Sequence, residues 1–288
     1  MTGDRLKGKW MVSLVDIGVN LTHAAFDADR QQVIERATAA GVHMMILTGT
    51  TVEESRKALI LAEQHPEILY STAGAHPHDV KRCDAETIPQ LRQLANHSKV
   101  VAIGECGLDF NRDYSPRAEQ EYWFEAQLQL ASDLKLPVFL HQRDAHTRFM
   151  EIFKPYRDQI SAAVVHCFTG SEDELKAYLN WDLHIGITGW ICDERRGLHL
   201  QELVRSIPLN RLMLETDAPY LTPRTIRPKP KGGRNEPAFL LHILQTIATI
   251  LERPPETIAH ATSQTTHQFF GLPESVTPQE HHSGEWRN

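Results

Sequence analysis

Four residues that could hold a metal ion each follow a short apolar run of the sequence. His141 and His166 supply imidazole nitrogens, and Glu105 and Asp217 supply carboxylate oxygens. This mixture of nitrogen and oxygen donors suits a divalent cation that keeps open coordination positions. Any one of them alone is more often an ordinary packed or loop residue. Their recurrence after four different runs predicts a metal site formed by all four.

The apolar runs alternate with amphipathic helical patterns, which predicts a parallel α/β fold. Continuous apolar runs are typical of strands buried on both faces, and eight strand–helix repeats favour a (β/α)8 TIM barrel. A doubly wound sheet is the alternative, because periodicity alone does not show that a sheet closes. The predicted strands span residues 12–20, 43–50, 69–76, 100–107, 137–143, 162–169, 182–189 and 212–219. The main helical patterns span residues 27–40, 52–65, 117–135, 172–180, 236–251 and 254–270, with Gly271 as the last C-cap.

A barrel would bring the polar residues together. Active sites of this fold lie at the C-terminal ends of the strands, where several acids and histidines would be costly to bury without a cation. We expect a single domain over residues 11–272, with an N-terminal extension over 1–10 and a flexible tail over 273–288.

Side-chain alternation along the strands extends the predicted site. Arg143 lies two residues after His141. Because alternate residues of a strand share a face, Arg143 can reach a substrate near the metal. Glu215 lies two residues before Asp217 in the same way. It either orients a metal ligand or is a buried structural carboxylate.

The same alternation separates site residues from packing residues elsewhere. It predicts that Cys106 and Cys167 point to the helix layer and serve only in packing, whereas Phe168 points into the barrel with His166. In the His-Pro-His sequence before Asp79, we predict His76 as a site residue and leave His78 in the loop.

Composition narrows the class of protein. The 30 basic and 37 acidic residues give a net charge of −7, so the surface as a whole does not attract nucleic acid. We expect no secretory signal, because no apolar run follows the basic residues among the first ten, and no apolar run of about 18 residues occurs in the sequence. The four cysteines form no Cys-x-x-Cys pair, which favours a reduced, cytoplasmic protein. We expect no membrane association.

One basic segment stands out against this acidic background. Residues 222–234, which follow the eighth predicted strand, contain five cations and no acid. Loops at this position of TIM barrels often bind phosphate, although a charge run is also commonly a solvated loop. The cations are Arg224, Arg227, Lys229, Lys231 and Arg234.

The strand-end motifs, taken together, resemble the TatD family of metal-dependent DNases. The resemblance covers about residues 12–272, and the stretch 186–197 is similar to bacterial members. The motifs are Asp16-Ile-Gly-Val-Asn20-Leu, Gly-Ala-His76-Pro-His78-Asp79, Gly104-Glu105-Cys-Gly-Leu-Asp109, His141-x-Arg143-Asp144, His166-Cys-Phe-Thr-Gly and Glu215-Thr-Asp217-Ala-Pro-Tyr220.

The resemblance implies an amidohydrolase-like barrel that holds one or two divalent ions. It implies Mg²⁺-dependent 3′–5′ exonuclease activity on single-stranded DNA and on RNA, in DNA repair and degradation in the cytoplasm. Many relatives have His-x-His where this chain has Gly18-x-Asn20. Because Gly18 has no side chain and Asn20 offers only an amide, a second metal held there by two imidazoles is not expected.

These observations predict phosphodiester hydrolysis by a monomer. Asp217 would act as a further metal ligand or as the base for water, and His76 would contact the scissile phosphate or the leaving oxygen. The predicted substrate-binding residues are Asn20, Arg143, Arg224 and Arg227. Mg²⁺ is the expected ion, with Mn²⁺ or Zn²⁺ as alternatives. Hydrolysis of aminoacyl-tRNA esters is a second possible activity, and a non-catalytic nucleic-acid-binding scaffold is a third.

Overall fold

The computed structural model describes residues 13–273. The predicted extension over 1–10 and the predicted tail, except Pro273, lie outside these residues. Within them the strands are β1 (Leu14–Val19), β2 (Val42–Leu47), β3 (Leu69–Ala73), β4 (Val100–Asp109), β5 (Val138–Arg143), β6 (Ala163–Val165), β7 (His184–Ile187) and β8 (Leu212–Leu214). The helices are α1 (Arg30–Ala39), α2 (Val52–Gln64), α3 (Thr87–Ala95), α4 (Arg117–Leu134), α5 (His146–Phe153), α6 (Glu172–Asn180), α7 (Leu198–Leu203), α8 (Leu240–Leu251) and α9 (Pro255–Phe270).

The eight strands form one parallel sheet in chain order, β1 to β8, and the sheet curls into a barrel. Main-chain hydrogen bonds close the ring beyond β8. The N–H of Asp217 donates to the carbonyl of Gly18 over 2.8 Å, and the N–H of Asn20 donates to that of Ala218 over 2.8 Å. The predicted TIM barrel is thus confirmed, and the doubly wound alternative is wrong, because the strand order never reverses.

Two apolar layers hold the barrel together. Side chains such as Ile17, Phe139 and Met213 fill its interior, and a larger buried layer lies between the strands and the surrounding helices. Phe269 and Phe270 at the end of α9 join the interior cluster. The Ser263 hydroxyl of α9 donates to the carbonyl of residue 13, just before β1, so this helix covers the end opposite the strand termini that carry the polar residues.

Local signals explain where several helices begin and end. Ser171 and Glu174 form a capping box at the start of α6, which satisfies two otherwise free backbone N–H groups. Gly271 ends α9 in a left-handed conformation with φ 62°, as predicted from the sequence. None of the helices within residues 13–273 is both long enough and apolar enough to span a bilayer.

Most strands end earlier than the sequence predicts, and the differences are largest for β6 and β8. β6 ends at Val165 and β8 at Leu214, and the chain then turns through left-handed residues at Cys167 (φ 46°) and Asp217 (φ 55°). Because alternation fails outside a strand, the prediction for Phe168 is wrong: it packs in the helix-side layer. Cys167 is only half-buried, with its Sγ 3.8 Å from the Thr188 hydroxyl. Cys106, inside β4, packs in the helix-side layer as predicted.

Candidate metal centre

Three imidazole nitrogens surround one carboxylate oxygen at the mouth of the barrel. Oε1 of Glu105 lies 3.1 Å from His76 Nε2, 3.0 Å from His141 Nδ1 and 2.7 Å from His166 Nε2. Glu105 belongs to β4 and is buried, and the histidines come from β5 and from the segments after β3 and β6. Burial alone would raise the pKa of Glu105, but the charges of His76 and His166 hold it well below its ordinary value.

Within residues 13–273, two groups of three donor atoms are close enough to share a metal ion. The first consists of Glu105, His141 and His166, and the second of His76, His78 and His141, with all donor atoms of a group within 4.8 Å of one another. Imidazole nitrogens with one carboxylate oxygen form a donor set that fits a divalent cation. The second group places His78 beside the site, so its interpretation as an ordinary loop residue is not supported.

Asp109 is a site residue that the sequence analysis missed. Its Oδ2 lies 2.6 Å from His78 Nε2 and 3.3 Å from His141 Nε2, and its Oδ1 accepts the N–H groups of Asn111 and Arg112. These contacts keep its pKa below the ordinary value despite burial. The available signal was alternation: β4 continues to Asp109, which therefore shares a face with Glu105.

Glu215 contacts a metal-ligand candidate from behind. Its Oε2 lies 3.3 Å from His166 Nδ1, and its Oε1 accepts the N–H of Cys167. Two glycines leave space for this fully buried carboxylate, since a Cβ at Gly18 or Gly186 would lie 2.6 or 2.7 Å from its oxygens. Of the two interpretations offered by the sequence, the contact favours a residue that orients a ligand.

The hydrogen bonds of His76 fix where its proton lies. Nδ1 accepts the N–H of His78 over 3.1 Å, so a neutral ring carries its proton on Nε2, which faces Glu105. Burial lowers the pKa of His76, although the charge of Glu105 opposes this shift. The ring is therefore a neutral hydrogen-bond donor directed into the site.

Asp217 lies beside the two donor groups and belongs to neither of those found in residues 13–273. Its Oδ1 accepts a hydrogen bond from the Asn20 amide over 3.0 Å. Burial raises the pKa of Asp217 to about 7, although the nearby His166 opposes the shift. The structure thus pairs two predicted site residues, Asp217 and Asn20, at the junction where the barrel closes.

The predicted phosphate-binding arginines have different surroundings. Arg143 is exposed on the wall of a cavity beside the mouth. Nε of Arg224 lies 3.6 Å from Oδ1 of Asp193. The Arg227 guanidinium donates hydrogen bonds to the backbone carbonyls of residues 224 and 226. Arg234 differs from these, because it donates two hydrogen bonds of 2.7 Å to Asp29. Arg234 is thus held in a structural ion pair.

Comparison with known proteins gives consistent matches. A family model described as "TatD related DNase" matches residues 15–271. A protein of Pantoea sp. (strain At-9b) named 3′-5′ ssDNA/RNA exonuclease TatD is 53% identical, covering 90% of this chain and all of that protein. An Erwinia amylovora protein of the same name is also 53% identical, with the same coverage.

Two solved structures of TatD-family proteins have folds similar to that of this chain. YJJV, a TatD homolog from Escherichia coli K12, has a TM-score of 0.83 at 29% identity over 91% of this chain and 100% of that one. A TatD-family hydrolase of Entamoeba histolytica has a TM-score of 0.83 at 25% identity over 91% of this chain and 99% of the other.

Proposed function

The chain belongs to the family of TatD-related DNases, and on this basis we propose that it is a metal-dependent nuclease. Its activity is 3′–5′ exonucleolytic hydrolysis of phosphodiester bonds in single-stranded DNA and RNA, in the cytoplasm and as a monomer. The observation that supports this most directly is the convergence of three imidazole nitrogens on the buried Oε1 of Glu105, because such a donor set fits a divalent cation that can activate water and polarise a phosphoryl oxygen.

Glu105, His141 and His166 would hold the divalent cation. Such an ion supplies a Lewis acid for a phosphoryl oxygen and makes water more acidic. We propose Mg²⁺, with Mn²⁺ tolerated, because the substrate brings phosphate oxygens and these favour hard ions.

Asp217 is the proposed proton acceptor for the attacking water. Asp217 lies outside both donor groups, its carboxylate is half-buried and its pKa is raised. These features suit a general base better than a metal ligand. The Asn20 amide fixes one of its oxygens and leaves the other for the water. An amide donates but cannot accept a proton from water, so Asn20 itself is a positioning residue that also borders the substrate.

His76 and Arg143 are the proposed contacts to the scissile phosphate. The proton of His76 lies on Nε2, which points into the site, so the ring can donate to a non-bridging or leaving oxygen. Arg143 follows His141 on the same strand, and its exposed guanidinium can hold a second oxygen. Arg224 and Arg227 would bind phosphates further along the strand.

The deciding experiment uses a single-stranded DNA oligonucleotide labelled at its 5′ end. We expect stepwise shortening from the 3′ end with Mg²⁺ and none after treatment with EDTA. An oligonucleotide that keeps its full length in the presence of Mg²⁺ and in the presence of Mn²⁺ would contradict the proposal. Aminoacyl-tRNA deacylation is not favoured, because relatives that are 51–53% identical are named as exonucleases.

A further inference from the structure

A cavity of about 280 Å³ opens beside the metal centre, between the segments that follow β4 to β7. Phe168, two residues after His166, forms part of its wall, so the cavity adjoins the site. It is smaller than the ~300 Å³ at the lower end of small-ligand pockets, which suits a single nucleoside better than a length of strand. Its lining includes two guanidinium groups, two aromatic rings and two carboxylates, from Arg143, Arg196, Phe168, Trp190, Asp144 and Glu174.

The wall that carries Trp190 and Arg196 is a tightly organised turn. The buried carboxylate of Asp193 accepts the N–H of Arg195 over 2.9 Å and the N–H of Arg196 over 3.2 Å. Gly197 allows the close approach of the chain, because a Cβ there would lie 2.1 Å from the Trp190 carbonyl oxygen. The turn therefore presents Arg196 and Trp190 to the cavity from a fixed backbone.

In the described part of the chain, each of the two carboxylates of the cavity has one oxygen that accepts a hydrogen bond and one that does not. Oδ2 of Asp144 accepts the Asn111 amide over 2.7 Å, and Oε2 of Glu174 accepts the N–H of Ser171 over 2.8 Å. Within residues 13–273 the structure gives neither Asp144 Oδ1 nor Glu174 Oε1 a hydrogen-bond donor. These acceptors suit the hydroxyl groups of a sugar and repel a phosphate.

We propose that the cavity binds the 3′-terminal nucleoside of the strand. The base stacks against Trp190, and the free 3′-hydroxyl donates to Asp144 or Glu174. Arg143 and Arg196 hold the phosphate that links this nucleoside to the next. The inference rests on the proposed nuclease function and deepens it, because a pocket for one nucleoside with a free 3′-hydroxyl explains attack from the 3′ end.

The first test compares two neighbouring arginines. Arg196 lines the cavity, whereas Arg195 does not and its side chain is 63% exposed, so Arg195→Gln is the matched control. With Mg²⁺ and a single-stranded oligothymidylate, we expect Arg196→Gln to raise KM about tenfold, the usual effect of losing a charged hydrogen bond. Arg195→Gln should stay within about twofold of wild type. Trp190→Ala should also raise KM, but Trp190 packs on the core, so the arginine pair decides.

The second test changes the 3′ end of the substrate. Wild-type enzyme should hydrolyse a 3′-hydroxyl oligothymidylate at least about tenfold faster than the same strand with a 3′-phosphate, because like charges repel. Asp144→Asn should narrow that difference by removing one charge. A terminal abasic sugar should raise KM in the wild type and have less effect in Trp190→Ala.

Failure of the inference and failure of the proposed function give different results. If the wild-type protein hydrolyses no oligonucleotide with Mg²⁺ or Mn²⁺, the nuclease proposal fails and the inference fails with it. If the wild type degrades the strand but Arg196→Gln behaves like Arg195→Gln, or the two 3′ ends react at equal rates, only the inference is overturned.

Discussion

The buried carboxylate of Glu215 lies 3.3 Å from Nδ1 of His166. That contact gives Nδ1 the ring proton and leaves Nε2 as the nitrogen that can bind a metal ion. Nε2 is also the nitrogen that faces Glu105. Glu215 thus determines both the orientation and the tautomer of a metal ligand without itself belonging to either donor group.

Glu215→Ala should weaken metal binding by about 10- to 100-fold, the usual effect of removing the partner of a ligating histidine. Isothermal titration with Mn²⁺ measures the affinity. The Glu215→Gln side chain can still accept the N–H of Cys167, so this variant should keep part of the metal affinity that Glu215→Ala loses. Equal affinity in wild type and Glu215→Ala would show that the carboxylate serves packing alone.

Glu105→Ala should abolish hydrolysis, and His141→Ala and His166→Ala should lose metal affinity together. The reason is that the three residues form one donor group, so removing any member leaves an incomplete site. His97→Ala is the control, since that ring is partly exposed and contacts Glu63 away from the site. Circular dichroism checks the fold. Unchanged metal stoichiometry and affinity in both histidine variants would contradict the assignment.

Asp217→Asn should keep most of the metal affinity and lose at least about 10²-fold in kcat, as general bases contribute. The amide keeps the shape of the carboxylate but cannot take a proton from water. Kinetics at saturating Mg²⁺ measure the loss, and metal titration is run in parallel. A variant with nearly wild-type kcat would leave Asp217 as a structural residue.

Replacing Arg224, Arg227 and Lys229 together by Gln should raise KM for long oligonucleotides more than it lowers kcat. Each lost phosphate contact should flatten the slope of log K against log salt concentration by roughly 0.7 for single strands. A dinucleotide too short to reach the segment should be affected less. An unchanged salt slope and unchanged length dependence would mean that these side chains are only solvated.

Unlike the triple variant, Arg234→Gln should lower the stability of the protein rather than weaken substrate binding, because the Arg234 guanidinium is paired with Asp29. The paired guanidinium lowers the pKa of Asp29 to about 2. The stabilisation is therefore complete above the ordinary pKa near 4 and disappears as the pH falls towards 2. At neutral pH we expect a loss of about 1 kcal/mol in the free energy of unfolding, reduced by solvent screening, with no change in salt slope. Urea unfolding of the wild type and of Arg234→Gln at pH 7 and pH 3 measures the difference in the free energy of unfolding.

Much of the site could be predicted because it lies at strand ends. Glu105 and His141 are inside β4 and β5, so hydrophobic runs and the barrel rule locate them. Asp109 was missed because β4 is longer than its apolar run, which ends before the polar residues. Phe168 was misplaced for the opposite reason, since β6 is shorter than the apolar pattern suggests.

The amino-acid sequence alone was enough to predict eight buried strands and the strand ends that carry the metal-ligand candidates, because burial on both faces of a strand requires a continuous apolar run. The order of the strands, the closure of the sheet and the pairing of the polar groups became visible only in the folded chain. Asp29 and Arg234 are 205 residues apart in the chain, and His166 and Glu215 are 49 apart. Such contacts depend on strand register and on left-handed residues such as Cys167, where the backbone leaves the strand, and no local pattern records either.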